Sequence, residues 1–478
     1  MFWLLNSRRS RELLVLALIF SAGACRRHPF PSRGDAAAVV VVAPRTDAAG
    51  PPKVMEQEPN DSPEQAQLLA INADWPVVSV VGTLSGTGAG AGKDVDVFKL
   101  MVPGGRLGPD KLAPSPDSSP SDDSRSLARR LTLEIAAEAG MGLSLQLLDE
   151  TLKLLETVTV DVGEAAGMPN MAVLPGRTYY FRVRAVAKPA KAAELVATSK
   201  YKLTVQLGDF EAGDEREPND GMDSAEAVTV SGTAELAGFH GWQHDQDFYR
   251  ISAPDVPSAL ELELDAVEGV TAGLQVLDGS GARIAVGRGR RGERVGLHNV
   301  SAPVAATDAG AAARFFYVVV RGEAGQNRTQ RYVLHLSMGA PRADSEIEPN
   351  DNPAKATSIH DGVLTGFLPV GDVDYFRYTG EGQREVSIEF ATPARVRAKL
   401  DVIRQSNGQT IASAEARKAR EPVALSRIPT LGEPLLLRLS QGKGDGNPNE
   451  SYSLKISSTL SAASKAGVIN PLPALNPD

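Results

Sequence analysis

Glu56-Gln-Glu-Pro-Asn-Asp61, Glu215-Arg-Glu-Pro-Asn-Asp220 and Glu346-Ile-Glu-Pro-Asn-Asp351 are one hexapeptide written three times. Each is followed by a second acidic signature: Asp94-Val-Asp-Val-Phe98, Asp245-Gln-Asp-Phe-Tyr249 and Asp372-Val-Asp-Tyr-Phe376. Each unit then closes on a strand-like run that opens with tyrosine: YKLTVQL from Tyr201, YVLHLSM from Tyr332 and YSLKIS from Tyr452. Three markers in one order, three times over, define an internal repeat. The asparagines at 60, 219 and 350 lie 159 and 131 residues apart. Such lengths suit whole domains rather than solenoid repeats.

Between the markers the apolar pattern has period 2. Leu131, Leu133 and Ile135 alternate with polar neighbours, as do Leu260, Leu262 and Leu264, and Val386, Ile388 and Phe390. Strand-like runs recur late in each unit, TYYFRVRAV from Thr178, FFYVVVRG from Phe315 and LLLRL from Leu435. Gly, Asn and Asp clusters punctuate them, and no sustained run has helical period. The expectation is an all-β chain of three tandem antiparallel β-sandwiches of jelly-roll-like type. Their expected bounds are 55–210, 211–340 and 341–459. A Pro-, Ser- and Asp-rich stretch at 104–128 reads as a disordered insertion in the first, and 460–478 as a disordered tail.

The 478 residues suggest about two to four domains. A hydrophobic share of 42% is too high for a mainly disordered chain. The net charge of −9 disfavours a nucleic-acid partner, and one Cys excludes intramolecular disulfides and CxxC sites.

That cysteine, Cys25, ends an export-type N-terminus. Arg8, Arg9 and Arg11 precede the apolar run Leu13–Phe20, and Ser21-Ala-Gly-Ala24 follows. The run is far below the roughly 20 residues of a permanent span. Residues 1–24 are expected to be a lipoprotein signal peptide and 25–54 a flexible tether. The placement of Cys25 resembles a bacterial lipobox, although Ala22 stands where the box usually has an aliphatic such as Leu. Cleavage would remove Arg8, Arg9, Arg11 and Glu12, net +2, and take the charge from −9 to −11. The expected location is the bacterial cell envelope, lipid-anchored at Cys25. Arg26 after the cysteine, rather than Asp, favours the outer membrane.

The order of EPND, DxD-aromatic strand and tyrosine strand resembles the bacterial pre-peptidase C-terminal domain family. These are jelly-roll β-sandwiches that often follow secreted peptidases, and the collagen-binding modules of clostridial collagenases belong with them. No peptidase domain precedes the modules in this sequence. The resemblance implies Ca²⁺ sites built from the hexapeptide and the later aspartates. The implied ligands are Glu56, Glu58, Asn60, Asp61, Asp94 and Asp96 in the first unit. In the second they are Glu215, Glu217, Asn219, Asp220, Asp245 and Asp247, and in the third Glu346, Glu348, Asn350, Asp351, Asp372 and Asp374.

Ca²⁺ takes 6–8 oxygen ligands from such groups. Pro-Asn-Asp also makes a turn unaided, with side chains bonding backbone. Both readings stay open on sequence alone. By strand parity both aspartates of each DxD share a face, with Phe98 and Phe376 on it too, so a bulge or strand end must part acid from core. His240 and His244 precede Asp245 and read as an exposed loop rather than a transition-metal site, since the other units lack them. Trp242 between them is a candidate exposed contact residue, or one packed under its own loop.

Catalytic signatures such as HExxH and GxSxG are absent. Gly86–Lys93 superficially resembles a phosphate loop, but Thr87 and Asp94 stand where Gly and Ser or Thr are needed. The reading is a non-enzymatic binding or scaffolding module. Its partners would be a polysaccharide or protein polymer, or another envelope protein. A ligand-free spacer and an unrecognised secreted hydrolase are the alternatives.

Overall fold

The computed structural model describes residues 52–72, 76–85, 94–104, 127–140, 142–186, 198–243, 245–304, 315–442 and 446–461. The expected signal peptide, Cys25, nearly all of the tether, the bulk of 104–128, the 86–93 stretch, His244 and most of the tail lie outside them.

Apart from one 3-10 turn at Pro353–Lys355, the regular elements of the described residues are strands. First come β1 (Lys53–Met55), β2 (Gln67–Leu68), β3 (Val77–Ser85), β4 (Val95–Met101), β5 (Arg129–Ala139), β6 (Gly142–Leu148), β7 (Leu154–Val160), β8 (Ala165–Val173), β9 (Thr178–Val186) and β10 (Thr198–Gly208). Next are β11 (Glu226–Val228), β12 (Thr233–His240), β13 (Gln246–Ser252), β14 (Ala259–Leu264), β15 (Thr271–Leu277), β16 (Arg283–Arg291), β17 (Val295–Ser301), β18 (Phe315–Ala324) and β19 (Asn327–Gly339). Last are β20 (Thr357–Ile359), β21 (Gly362–Leu368), β22 (Val373–Tyr378), β23 (Arg384–Ala391), β24 (Ala398–Arg404), β25 (Thr410–Glu415), β26 (Val423–Pro429), β27 (Leu435–Gln441) and β28 (Asn447–Leu460). No helix among them is long and apolar enough to cross a membrane.

These strands form sheet pairs that enclose separate apolar cores. In the first, the order is β1-β3-β10-β5-β8 facing β2-β4-β9-β6-β7. The second pairs β12-β19-β14-β17 with β11-β13-β18-β15-β16, and the third β21-β28-β23-β26 with β20-β22-β27-β24-β25. Stripped of the shortest strands, each is the two-Greek-key order of a jelly roll. The period-2 residues do what their spacing predicts: Leu131, Leu133 and Ile135 of one sheet meet Leu143, Leu145 and Leu147 of the other. Full burial of each such side chain is worth about 1.5–3 kcal/mol.

Three details depart from the plain antiparallel expectation. Short strands flanking each hexapeptide pair in parallel, β1 on β3, β2 on β4, β11 on β13 and β20 on β22. They arise because the hexapeptide carries the chain across the mouth of the sandwich, from one sheet to the facing one. The strands also overrun the expected bounds: β1 starts at Lys53, which pairs Ser79, and β28 runs to Leu460, which pairs Arg384. Third, an edge strand of each sandwich carries a two-residue bulge. Its second residue is left-handed, Asn170 at φ 57°, Asn299 at φ 49° and Arg427 at φ 59°.

Candidate metal centres

Each hexapeptide folds as the same tight crossing, with the Glu–Pro peptide cis in all three. The second glutamate closes the turn on itself. Glu58 Oε2 accepts the Asn60 N–H at 2.9 Å, Glu217 Oε2 that of Asn219 at 2.6 Å, and Glu348 Oε2 that of Asn350 at 3.0 Å. The asparagine carbonyls then accept the N–H of the residue after the second aspartate, Val97, Phe248 and Tyr375. The turn is thus closed by the second glutamate and not by the asparagine side chain expected from Pro-Asn-Asp, and it uses only part of the oxygen supply.

The first glutamate reaches a facing strand. Glu56 accepts the Thr83 N–H, Glu215 Oε1 that of Phe239 at 2.8 Å, and Glu346 Oε1 that of Phe367 at 2.5 Å. The second aspartate is capped by the tyrosine that opens the late strand. Tyr201 donates to Asp96, the Tyr332 hydroxyl lies 2.7 Å from Asp247 Oδ2 and 3.0 Å from Glu215 Oε2, and the Tyr452 hydroxyl 2.8 Å from Asp374 Oδ2 and 2.5 Å from Glu346 Oε2, each with one hydrogen to share. No bulge separates acid from core: β4 pairs β9 in unbroken register from Val95 to Met101. Instead Asp96 sits at the strand end, and the tyrosine hydroxyl forms the boundary between the acidic mouth and the apolar interior.

Within each sandwich, two glutamates and one aspartate place carboxylate oxygens within 4.8 Å of one another: Glu56, Glu58 and Asp96; Glu215, Glu217 and Asp247; Glu346, Glu348 and Asp374. In the first sandwich a second triad, Glu58, Asp61 and Asp94, shares Glu58. Asp220, Asp245, Asp351 and Asp372 join no such triad among the described residues. Asp245 Oδ2 instead accepts the Gly241 N–H at 2.6 Å, and Asp372 Oδ1 that of Val373 at 2.9 Å. Asp94 accepts from both the backbone and the hydroxyl of Ser85.

The electrostatics of the triads are one-sided. Burial raises Asp96 to about 8, and Glu56, Asp94 and Glu58 push it up further against the Tyr201 hydrogen bond. Burial likewise lifts Asp247 and Glu346 to about 7. Glu215, Glu217 and Asp374 are driven well up by desolvation first, then by the neighbouring carboxylates. Among the described residues no lysine, arginine or histidine forms an ion pair with any triad member.

Several buried oxygens also lack hydrogen bonds, including Asp96 Oδ1, Glu217 Oε1 and Asp374 Oδ1, as do both side-chain polar atoms of the fully buried Asn60. One arm of the Asn219 amide lies 3.2 Å from both Glu217 Oε2 and Asp247 Oδ1. With its nitrogen there, it donates to both carboxylates. With its oxygen there, a bound cation or a protonated carboxyl makes the arrangement favourable. The donor set is all oxygen, which suits a hard cation such as Ca²⁺ rather than a transition metal.

The two loop residues read from the sequence sit elsewhere than expected. His240 is no exposed loop residue. It ends β12, is fully buried 5.1 Å from the Tyr332 ring, and desolvation lowers it to about 4. Trp242 is half-buried against the core of the first sandwich, so it is a contact between sandwiches and not a surface probe.

Sequence reasoning passed over three sets of residues. The strand-opening tyrosines served as repeat markers, yet they cap the acids. Gly82, Gly238 and Gly366 face them across the mouth, where an added Cβ would overlap the tyrosine hydroxyl. Asn170 and Asn299 hold the next sandwich's hexapeptide. Asn170 Nδ2 donates to Glu215 Oε1 at 3.3 Å, and Asn299 Nδ2 to the Glu346 carbonyl at 2.5 Å.

No family model matches the chain. No curated protein matches it either. Among solved structures it is similar to tripeptidyl peptidase 2 at 10% identity and TM-score 0.21, over 82% of this chain and 24% of that one. The chain thus spans about a quarter of that protein's length. It is also similar to the PBSX exported protein XepA, at 12% identity and TM-score 0.17, over 54% of this chain and 84% of that one. A third is the CUB1-EGF-CUB2 region of human MASP-1/3, at 10% identity and TM-score 0.16, over 48% of this chain and all of that one.

Proposed function

We propose that the chain is a non-catalytic, Ca²⁺-binding array of β-sandwiches, displayed on the bacterial cell envelope from a lipid at Cys25. The observation that carries the metal is the repeated carboxylate triad, built on a buried aspartate in all three sandwiches and fully buried in the second, without a cationic partner among the described residues. In each triad burial makes the charged aspartate, Asp96, Asp247 or Asp374, costly to hold beside the glutamates, and a bound divalent cation offsets that cost. Glu56, Glu58 and Asp96, Glu215, Glu217 and Asp247, and Glu346, Glu348 and Asp374 would hold the ions, with Asn60, Asn219 and Asn350 alongside. The ion supplies charge neutralisation that ties the hexapeptide to both facing sheets. The likeness of the EPND and DxD segments to pre-peptidase C-terminal domains supports the same reading.

The array then serves as a binding or scaffolding element for extracellular polymer or an envelope protein, where several modules on one tether gain avidity. The test is calorimetric titration of the chelator-treated full chain with Ca²⁺. Heat release with a raised melting temperature is expected. No heat and no change in melting temperature would remove the metal from the account.

A further inference from the structure

The sandwiches are joined by one repeated device. The second glutamate of a hexapeptide adds to the bulged edge strand of the preceding sandwich as a one-residue parallel bridge, Glu217 opposite Met171 and Glu348 opposite Val300. Two backbone hydrogen bonds fix it each time. The Glu217 N–H donates to the Asn170 carbonyl at 2.9 Å, and the Ala172 N–H to the Glu217 carbonyl at 2.7 Å. At the next joint the Glu348 N–H donates to Asn299 at 3.2 Å, and the Ser301 N–H to Glu348 at 2.7 Å. The left-handed asparagine turns its carbonyl outward to make this possible, a conformation asparagine tolerates better than most residues.

The third sandwich has the same bulge on β26, but different residues in it. Val386 pairs Ile428 and Ile388 pairs Leu425, which puts Arg427 where Asn170 and Asn299 stand. Pro429 then occupies the place of Ala172 and Ser301. Proline has no N–H, so the second bond of the joint cannot form there. Arg427 and Pro429 are both exposed. The last edge is therefore closed to a further hexapeptide, a recognised protection of sheet edges. At the other end the Glu56–Asp61 hexapeptide keeps the joint's geometry, with Glu58 and Pro59 exposed and no described sandwich before it.

We infer that the backbone of Glu58 is an open docking element for another polypeptide. Its partner is a sandwich edge strand carrying a left-handed Asn in a two-residue bulge, with a non-proline residue two positions on. A second copy of this chain cannot serve, because Asn170 and Asn299 are already engaged and Arg427 with Pro429 blocks the last edge. The contact is strand addition by main-chain hydrogen bonds, with the asparagine supplying register.

The experiment gives the full chain the missing acceptor. R427N/P429A is compared with wild type by sedimentation velocity across a concentration series, with circular dichroism melts to confirm folding. The wild type stays monomeric. The double variant forms concentration-dependent head-to-tail oligomers, at least doubling the mean mass. Arg427→Asn with Pro429 retained stays monomeric, and adding Glu58→Pro to the double variant returns it to monomer. A folded double variant that remains monomeric overturns the inference. So do oligomers that form with Pro429 in place or that survive Glu58→Pro.

Discussion

Tyr332 donates its hydroxyl hydrogen to Asp247 Oδ2 at 2.7 Å with both groups buried, and so closes the acidic mouth of the second sandwich against its core. Tyr332→Phe leaves Asp247 without that donor and removes the hydroxyl 3.0 Å from Glu215 Oε2. The expected loss is about 1–3 kcal/mol of stability, since buried acceptors left unpaired bear their full desolvation cost. Urea unfolding reads it, and a midpoint equal to wild type would mean the hydroxyl is idle.

The acidic mouths set a pH dependence for the calcium-free protein. Asp96 lies at about 8, and Asp247 and Glu346 at about 7. Unfolded, these carboxyls titrate near about 4. The native state holds more protons than the unfolded state between those limits, so this stability is present in full at the acid side and is lost as pH rises through 7 to 8. Melting temperature in chelator is expected to fall from pH 5 to pH 8, and the rise on adding Ca²⁺ to grow over the same range. A calcium-free protein that melts higher at pH 8 than at pH 5 contradicts the assignment.

Gly366 is a glycine for lack of room. An added Cβ would overlap Tyr452 Oη and Glu346 Oε2. Gly366→Ala is expected to destabilise the protein by about 1–3 kcal/mol through overpacking. Ca²⁺ affinity measured by calorimetry should fall with it, because Glu346 is the group displaced. Unchanged stability and affinity would show that the mouth can widen freely.

Asn299 is both strained and engaged. Its φ is 49°, and its amide bonds the Glu346 and Arg342 carbonyls and the Arg342 N–H. Asn299→Ala is expected to cost about 1–3 kcal/mol. Small-angle scattering should show a broader distribution of dimensions as the joint to the third sandwich loosens. Asn299→Gly keeps the backbone geometry, so it should recover part of the stability but not the amide contacts. Identical scattering for Ala and wild type would assign the joint's rigidity to other contacts.

Lipidation is open to a direct check. Cys25→Ser in the producing cell should move the protein from the membrane fraction to the soluble one. A variant that still partitions with membranes rules out the acyl anchor.

The fold was readable because its signals are short-range and repeated: alternating Leu131, Leu133 and Ile135, and three copies of one acidic turn. The grouping of the acids was readable only in part. EPND and DxD mark the right strands, but which aspartate turns inward depends on the facing sheet, so Asp96, Asp247 and Asp374 join triads that Asp245 and Asp372 do not. Tyr332 and Gly238 meet across the mouth from different strands, a relation no local pattern contains. Asn170 and Asn299 looked like ordinary strand residues because the bulge that turns them outward is set by pairing with β5 and β14. Trp242 was misjudged for the same reason, since its partner core belongs to the preceding sandwich.

The short strand β1 has a mechanical consequence. Its three residues run parallel to β3, and Glu56 directly after them is bonded to Thr83. A pull along the chain at Lys53 loads those bonds in shear, all at once, rather than peeling them one by one. Resistance to such a pull is governed by an unfolding rate and not by equilibrium stability. A cation held between Glu56 and Asp96 would sit at the point where the load enters the fold.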